Sequence, residues 1–348
     1  MNQPANTSPM KRLVVLPVSP FGNGGYNIAV RDDLERLGGL TDDDHLIIYP
    51  HPGQPNPDGA VLIPRPSKTS PRRYLNLLRM RTSTETTAGQ LKAAIGNREF
   101  DEIFCGEVTF YRGLRKLYPG RKITVRSHNL FSLCRTRREF CRQPIGMVFW
   151  ANMTLFSRLE REILRDPLVD MIVIAEAERK FAQLLYPGRE FRIWNPPVDI
   201  KQPRPAPTTA RIMYMGSLAS HQKFGMTHFV KQVMPAIRAR RPQIEFHMYG
   251  SSSEAWNDPE NGIIGHGFYE GDGAPLDGDA LFACPDLLGG GIKIKVGNWL
   301  EWGVPIIATP FALDGYDLPE LDNMIVAQIS DWEDRIIEYF DGLGITSV

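Results

Sequence analysis

The chain has 348 residues, 42% of them hydrophobic and 23% charged, which suits a globular protein of two domains with a core in each. Lys+Arg and Asp+Glu balance at 40 each, and nucleic acid is not an expected partner. No apolar run reaches the ~18 residues of a membrane-spanning helix, Met1–Arg12 lacks the apolar stretch of a signal peptide, and four cysteines without CxxC spacing indicate neither a zinc site nor a disulfide framework.

The expected setting is therefore a reducing cytoplasm, at most on a membrane face. The charge is unevenly spread: residues 1–200 carry 29 Lys+Arg against 21 Asp+Glu, and residues 201–348 carry 11 against 19. A basic first half suits an anionic acceptor or membrane surface, and mutual attraction of two domains accounts for it equally well.

The run from Arg12 reads as a buried strand, followed by a glycine-rich turn at Gly22 to Asn27 and an amphipathic helix from about Ile28 to Leu37. Strand, glycine turn and helix make a phosphate cradle, with Gly24 and Gly25 at its tip. The full GxGxxG spacing is absent, and the second strand, His45 to Tyr49, is not followed by the acidic residue an NAD ribose needs. Further strands are expected at Ala60 to Pro64, Glu102 to Cys105 and Ile123 to Asn129, alternating with helices. His128 and Asn129 close the last of these, at the carboxyl end where open α/β sheets place ligands. Glu107 is a further candidate there by position.

Two basic stretches carry apolar residues. Ser70 to Thr82 mixes Arg72, Arg73, Arg79 and Arg81 with Leu and Tyr, and Arg135, Arg137, Arg138 and Arg142 precede Ile145 to Phe156. A solvated face for the first and a core helix for the second are the favoured readings; docking at an acidic lipid surface is the alternative. Asp170 to Glu176 gives a strand that opens a helix through Leu185.

Five prolines between Pro196 and Pro207 mark a stiff linker. Beyond it, Arg211 to Gly216 is a strand ending in a glycine turn with Ser217, then comes Lys223 and a helix from about Gly225 to Arg240. Ile244 to Gly250 and Gly262 to Phe268 are strands, with His247 and His266 inside them as packed or surface residues. Asp277-Gly278-Asp279 spells a metal-type Asp-x-Asp, yet turn chemistry explains it better, and no metal is expected. A last strand near Met324 and a helix from Asp331 to Phe340 end the pattern.

Between these lies Gly289-Gly290-Gly291-Ile292-Lys293-Ile294-Lys295, opening a helix that ends near Gly303 and runs into the strand Pro305 to Ala308. Glycines let backbone N–H groups approach a ligand, and a helix N-terminus attracts anions. Two lysines in a first turn, where the dipole favours Asp or Glu, make sense if an anion such as a diphosphate lies there. Two solvated lysines on a tight loop are the plain alternative.

Gly-x-Gly-Ile-Lys-x-Lys-Val, a short helix, then Gly303-x-Pro305-Ile306-Ile307-Ala308-Thr309-Pro310 resembles the donor-binding segment of group 1 retaining glycosyltransferases of GT-B architecture. The resemblance implies an α/β fold of two Rossmann-like doubly wound domains facing a cleft, residues 1–199 on the acceptor side and 200–348 on the donor side. It implies transfer of a sugar from a nucleotide sugar to a glycan or lipid-linked acceptor, without a cofactor or metal. It assigns Gly289, Gly290, Gly291, Ile292, Lys293 and Lys295 to the diphosphate, Gly216, Ser217 and Lys223 to phosphates, and Gly267 and Phe268 to the base. Asn298 would meet the ribose, Gly24 and Gly25 the phosphates or acceptor, and His128 the sugar or acceptor. One departure stands out: the family's two glutamates are replaced by Gly290 and Asn298. A degenerate domain acting as a partner, or a nucleotide-sugar 2-epimerase, are the alternatives.

Overall fold

Short runs, apolar and buried on both sides in the inner strands and partly exposed in the two edge strands, make the first sheet: β1 (Arg12–Leu16), β2 (His45–Ile48), β3 (Val61–Leu62), β4 (Glu102–Cys105), β5 (Ile123–Arg126), β6 (Val169–Val173) and β7 (Arg192–Ile193). The computed structural model describes residues 10–22, 25–51, 53–66, 70–140, 146–216, 218, 222–269 and 279–345. The chain divides into two compact units, Met1–Pro196 and Pro197–Val348.

In the first unit the strands pair in the order β3-β2-β1-β4-β5-β6-β7, all parallel, with Val14 opposite Leu46 on one side and Phe104 on the other. Among the described residues, seven helices connect them: α1 (Gly25–Arg36), α2 (Pro71–Leu78), α3 (Ala88–Ile95), α4 (Tyr111–Leu117), α5 (Phe131–Phe140), α6 (Met147–Arg165) and α7 (Glu176–Leu185). Leu13, Val15, Cys105 and Val125 join one core, while Val14, Leu16, Ile48 and Phe104 join the core on the opposite face. Local signals set boundaries. Thr87 and Gln90 form a capping box at α3, and Gly96 ends that helix at φ 70°.

The second unit repeats the plan with β8 (Arg211–Met215), β9 (Glu245–Tyr249), β10 (Ile263–Gly267), β11 (Leu281–Cys284), β12 (Ile306–Ala308) and β13 (Met324–Val326), in the parallel order β10-β9-β8-β11-β12-β13. Its helices are α8 (Gln222–His228), α9 (Met234–Arg240), α10 (Ile294–Trp302) and α11 (Trp332–Gly342). Each unit is thus a doubly wound parallel sheet. β11 has no counterpart among the expected elements. The single helix expected to Arg240 is α8 and α9 joined by a π-helical turn, Phe229–Val233. That turn lies just ahead of Pro235, whose ring nitrogen cannot donate to the Lys231 carbonyl.

Two further expectations need restating. The proline-rich stretch is fastened to the second unit: Lys201 and Arg204 amides donate to the carbonyls of Leu300 and Gly303 at 3.1 and 2.7 Å. α6 becomes a core helix only from Met153; its first residues, Met147 to Trp150, are exposed.

Candidate functional site

β8 and β11 are neighbours in the second sheet, and the chain winds away from them in opposite directions. Ligands of doubly wound sheets bind at the carboxyl ends of such a pair. Here those ends deliver Gly216 and the Pro285–Asp286 segment. Two glycines bring the surrounding pieces into contact. A Cβ on Gly225 would lie 1.7 Å from the Pro285 carbonyl oxygen, so only glycine lets α8 lie against the loop after β11. A Cβ on Gly250, at φ +126°, would lie 2.2 Å from the Gly216 oxygen. The first turn of α8, carrying exposed Lys223, is thereby held beside that loop.

Beneath the loop is a buried ion pair. Lys295 Nζ lies 3.0 and 2.9 Å from the two Asp286 carboxylate oxygens, 3.1 Å from the Tyr214 hydroxyl and 4.6 Å above the Tyr214 ring. Burial works against the ammonium, but Asp286 outweighs it and holds Lys295 well above the ordinary lysine value. Burial also pushes the Tyr214 phenol up to about 12. Lys295, expected to meet a ligand, here pairs with Asp286 and Tyr214 and so braces β8, β11 and α10.

Lys293 occupies the N-cap position of α10, and no acidic residue follows in the first turn. It is 6% exposed; its Nζ donates to the Gly290 and Gly291 carbonyls, each at 3.3 Å, and lies 4.4 Å from the Phe311 ring centroid. Tyr316 closes this arrangement, its hydroxyl donating to the Lys293 carbonyl at 2.9 Å and accepting from the Gly297 amide at 3.1 Å. Thr309 donates to the Asp286 carbonyl at 2.5 Å and caps the short helix Pro310–Leu313. Gly289 and Gly291 adopt φ of 128° and 60°, and Ile292 and Asn298 are half-buried. Gly267 ends β10 at φ 81°, followed by Phe268 with 75% of its surface exposed.

Gly24 and Ser217 lie outside the described residues, and Gly25 is the first residue of α1. Among the described residues, no three His, Cys, Asp or Glu are placed to hold a metal ion. Asp279 accepts from Thr208 and Thr209, anchoring the approach to β8. His247 Nδ1 and His266 Nε2 are 2.9 Å apart on neighbouring strands.

In the first unit, His128 is 6% exposed, and its Nε2 lies 2.9 Å from Asp33 Oδ2. Asp33 also accepts from Arg126 Nε at 2.8 Å, and Arg126 donates to the Val173 and Trp194 carbonyls at 2.8 and 2.7 Å. This buried set ties α1 to β5 and β6. His128 Nδ1 is buried and has no hydrogen-bond partner among the described residues, and the Tyr26 ring stands edge-on to the imidazole at 4.7 Å. The Tyr26 hydroxyl donates to Glu107 across the carboxyl ends of β1 and β4. Burial, then Glu107, raises that phenol well above its usual value. Position at a strand end marks His128 and Glu107 in the sequence, whereas nothing comparable marks Asp33, Tyr26, Tyr214 or Tyr316. An acid just past a buried strand is the only local signal that could have drawn attention to Asp286.

Residues 209–341 match the family described as Glycosyl transferases group 1. No curated protein matches the chain in sequence. Among solved structures, sucrose-phosphate synthase from Thermosynechococcus elongatus is similar at TM-score 0.65 and 14% identity, over 97% of this chain and 91% of that one. HepE from Anabaena in complex with UDP-glucose is similar at TM-score 0.56 and 12% identity, over 97% and 91%. TarM is similar at TM-score 0.55 and 14% identity over 74% of this chain, which spans only 53% of TarM. At such identities the likeness is one of fold.

Proposed function

We propose, for a chain of GT-B fold whose residues 209–341 match the group 1 glycosyltransferases, that the protein moves a sugar from a nucleotide-diphosphate sugar to a glycan or lipid-linked acceptor. Retention at the anomeric carbon and independence of metal are part of the proposal. The observation that carries it is Lys293 held at the start of α10, over a glycine loop and with no acid in the helix's first turn. A cation at a helix N-terminus beside a glycine loop suits an anion such as a diphosphate, which the helix dipole and the loop amides also favour.

In this reading the bond between the anomeric carbon and the diphosphate oxygen breaks, and its electron pair stays on the diphosphate. The acceptor oxygen forms the new bond and gives up its proton. Lys293, Lys223 and the amides of Gly289 to Gly291 stabilise the charge that develops on the leaving group, a fixed electrostatic contribution. Asn298 meets the ribose, and Gly267 with exposed Phe268 the base. Lys295 holds the scaffold through Asp286. His128, fixed at Nε2 by Asp33, keeps Nδ1 for a sugar or acceptor hydroxyl. HepE crystallised with UDP-glucose and TarM with UDP, so uridine donors are the first to try.

The second reading, a degenerate domain that assists a partner, is favoured by two observations: both lysines of the motif are engaged within the protein, and Gly290 and Asn298 stand at the positions of the family's glutamates. Turnover of UDP- and GDP-sugars, followed as released nucleoside diphosphate with and without glycan acceptors, separates the readings. Acceptor-dependent release with an anomeric coupling unchanged from donor to product supports retaining transfer. Donor conversion without acceptor points to the epimerase, and no turnover with any donor leaves the assisting role.

A further inference from the structure

The first unit carries an apolar surface that neither its sheet nor its cluster around His128 uses. α6 begins with Met147, Val148, Phe149 and Trp150, all exposed, Met147 to 82%. α2 packs beside the same end of α6, where the Ser83 amide donates to Asn152 Oδ1 at 2.8 Å. It turns Leu75 and Leu78 outward, Leu78 to 80%. Met80 follows in the left-handed conformation at φ 56°, with the Arg81 amide reaching back to the Asn76 carbonyl at 2.8 Å. Glycine is the ordinary residue at such a helix end; a side chain there carries a conformational cost. The chain accepts that cost and displays a half-exposed thioether.

The charge around these groups is nearly all of one sign. α2 contains no acidic residue and carries Arg72 and Arg73, with Arg79 directly after it; α6 has none before buried Glu160. On α5, the Arg135 and Arg138 guanidiniums sit 5.5 and 5.0 Å over the rings of Trp150 and Phe149. Glu139 is paired with Arg135 at 2.8 Å. The cations lie on the apolar rings themselves, and no acidic residue of α2 or of the exposed start of α6 offsets them. Aromatic rings with cations alongside match the headgroup boundary of a bilayer containing anionic lipid.

We propose that this face of α2, α5 and α6 docks the protein on an anionic membrane surface, the apolar side chains entering the headgroup boundary and the arginines meeting lipid phosphates. The inference stands apart from the nucleotide reading, because none of these residues belongs to the second unit. It is tested with the whole chain by co-sedimentation with phosphatidylcholine vesicles, with and without phosphatidylglycerol, at low and high salt. Binding is expected to be at least about ten-fold stronger to the anionic vesicles and to weaken with salt. Arg135→Gln with Arg138→Gln should lower it by about ten-fold or more. Leu78→Ser with Trp150→Ser should remove it while the melting temperature stays at the wild-type value. Absence of binding, equal binding to neutral vesicles, or wild-type binding by these variants would overturn the proposal. So would concentration-dependent self-association lost with Trp150→Ser, which would assign the face to a second copy of the chain.

Discussion

Asp286 accepts from Lys295 through its carboxylate, and its own carbonyl takes the Thr309 hydroxyl, so one residue ties β8, β11, α10 and the segment after β12 together. Side-chain exposures of 11% and 1% for Lys295 and Asp286 leave the pair little solvent to fall back on. Removing one partner strands the other charge, which costs about 3–5 kcal/mol. Lys295→Met is accordingly expected to lower the stability of the second unit by that order, read as a fall in urea midpoint. Asp286→Asn made together with Lys295→Met should recover part of the loss, since no lone charge remains. Lys293→Ala, by contrast, should lower nucleotide affinity with much less effect on stability. The sequence made Lys293 and Lys295 look alike, two positions apart in one motif. What separates them is a carboxylate nine residues back and a tyrosine on another strand, and no local spacing reveals either. His128 is a similar case: its place at a strand end was legible, but its attachment to Asp33, 95 residues away, was not.

Elements with their own local signals were legible. Apolar runs marked β1, β2 and β4 to within a residue or two, and the glycine loop marked the start of α10, because burial on both sheet faces leaves a continuous apolar string. β11, four residues after a glycine-rich stretch, carried too short a pattern to register, and the π-helical turn before Pro235 depends on a backbone adjustment that periodicity does not encode. The sequence places Gly225 near a helix start; its structural reason is the close passage of Pro285. Gly225→Ala should therefore cost about 1–3 kcal/mol or more as α8 is forced off the loop, and it should weaken nucleotide binding by displacing Lys223. A second element effect is pH-dependent. Glu160 on α6 accepts from the Phe131 and Ser132 amides and the Ser132 hydroxyl at the start of α5. Burial pushes its carboxyl up to about 7 in spite of those bonds. With the folded value raised, the protonated acid favours folding: that contribution is complete below the ordinary carboxyl range and is lost as pH rises through about 7. Chemical denaturation of the wild type should show the first unit weakening by up to about 3 kcal/mol from acid to neutral pH, and Glu160→Gln should flatten that dependence.

At the scale of the molecule, the parallel sheet of the first unit was legible from the alternation of strands and helices, and the matching sheet of the second from the family resemblance. The charge contrast between the two halves was equally plain, but composition could not say where the positive charge lies. The structure gathers several arginines against exposed apolar helix ends, and in the second unit it keeps two lysines of the glycine motif inside. The central claim is that the second unit binds a nucleotide diphosphate at the carboxyl ends of β8 and β11. The most direct measurement is thermal stabilisation of the whole chain by UDP, GDP, ADP and TDP, each free and as the sugar conjugate, with Lys293→Ala alongside. A ligand at ~100 times its dissociation constant adds about 2.7 kcal/mol to the unit it binds. The account predicts a selective rise in melting temperature with one base, lost in Lys293→Ala. No rise with any nucleotide, or a rise that Lys293→Ala leaves intact, would contradict it.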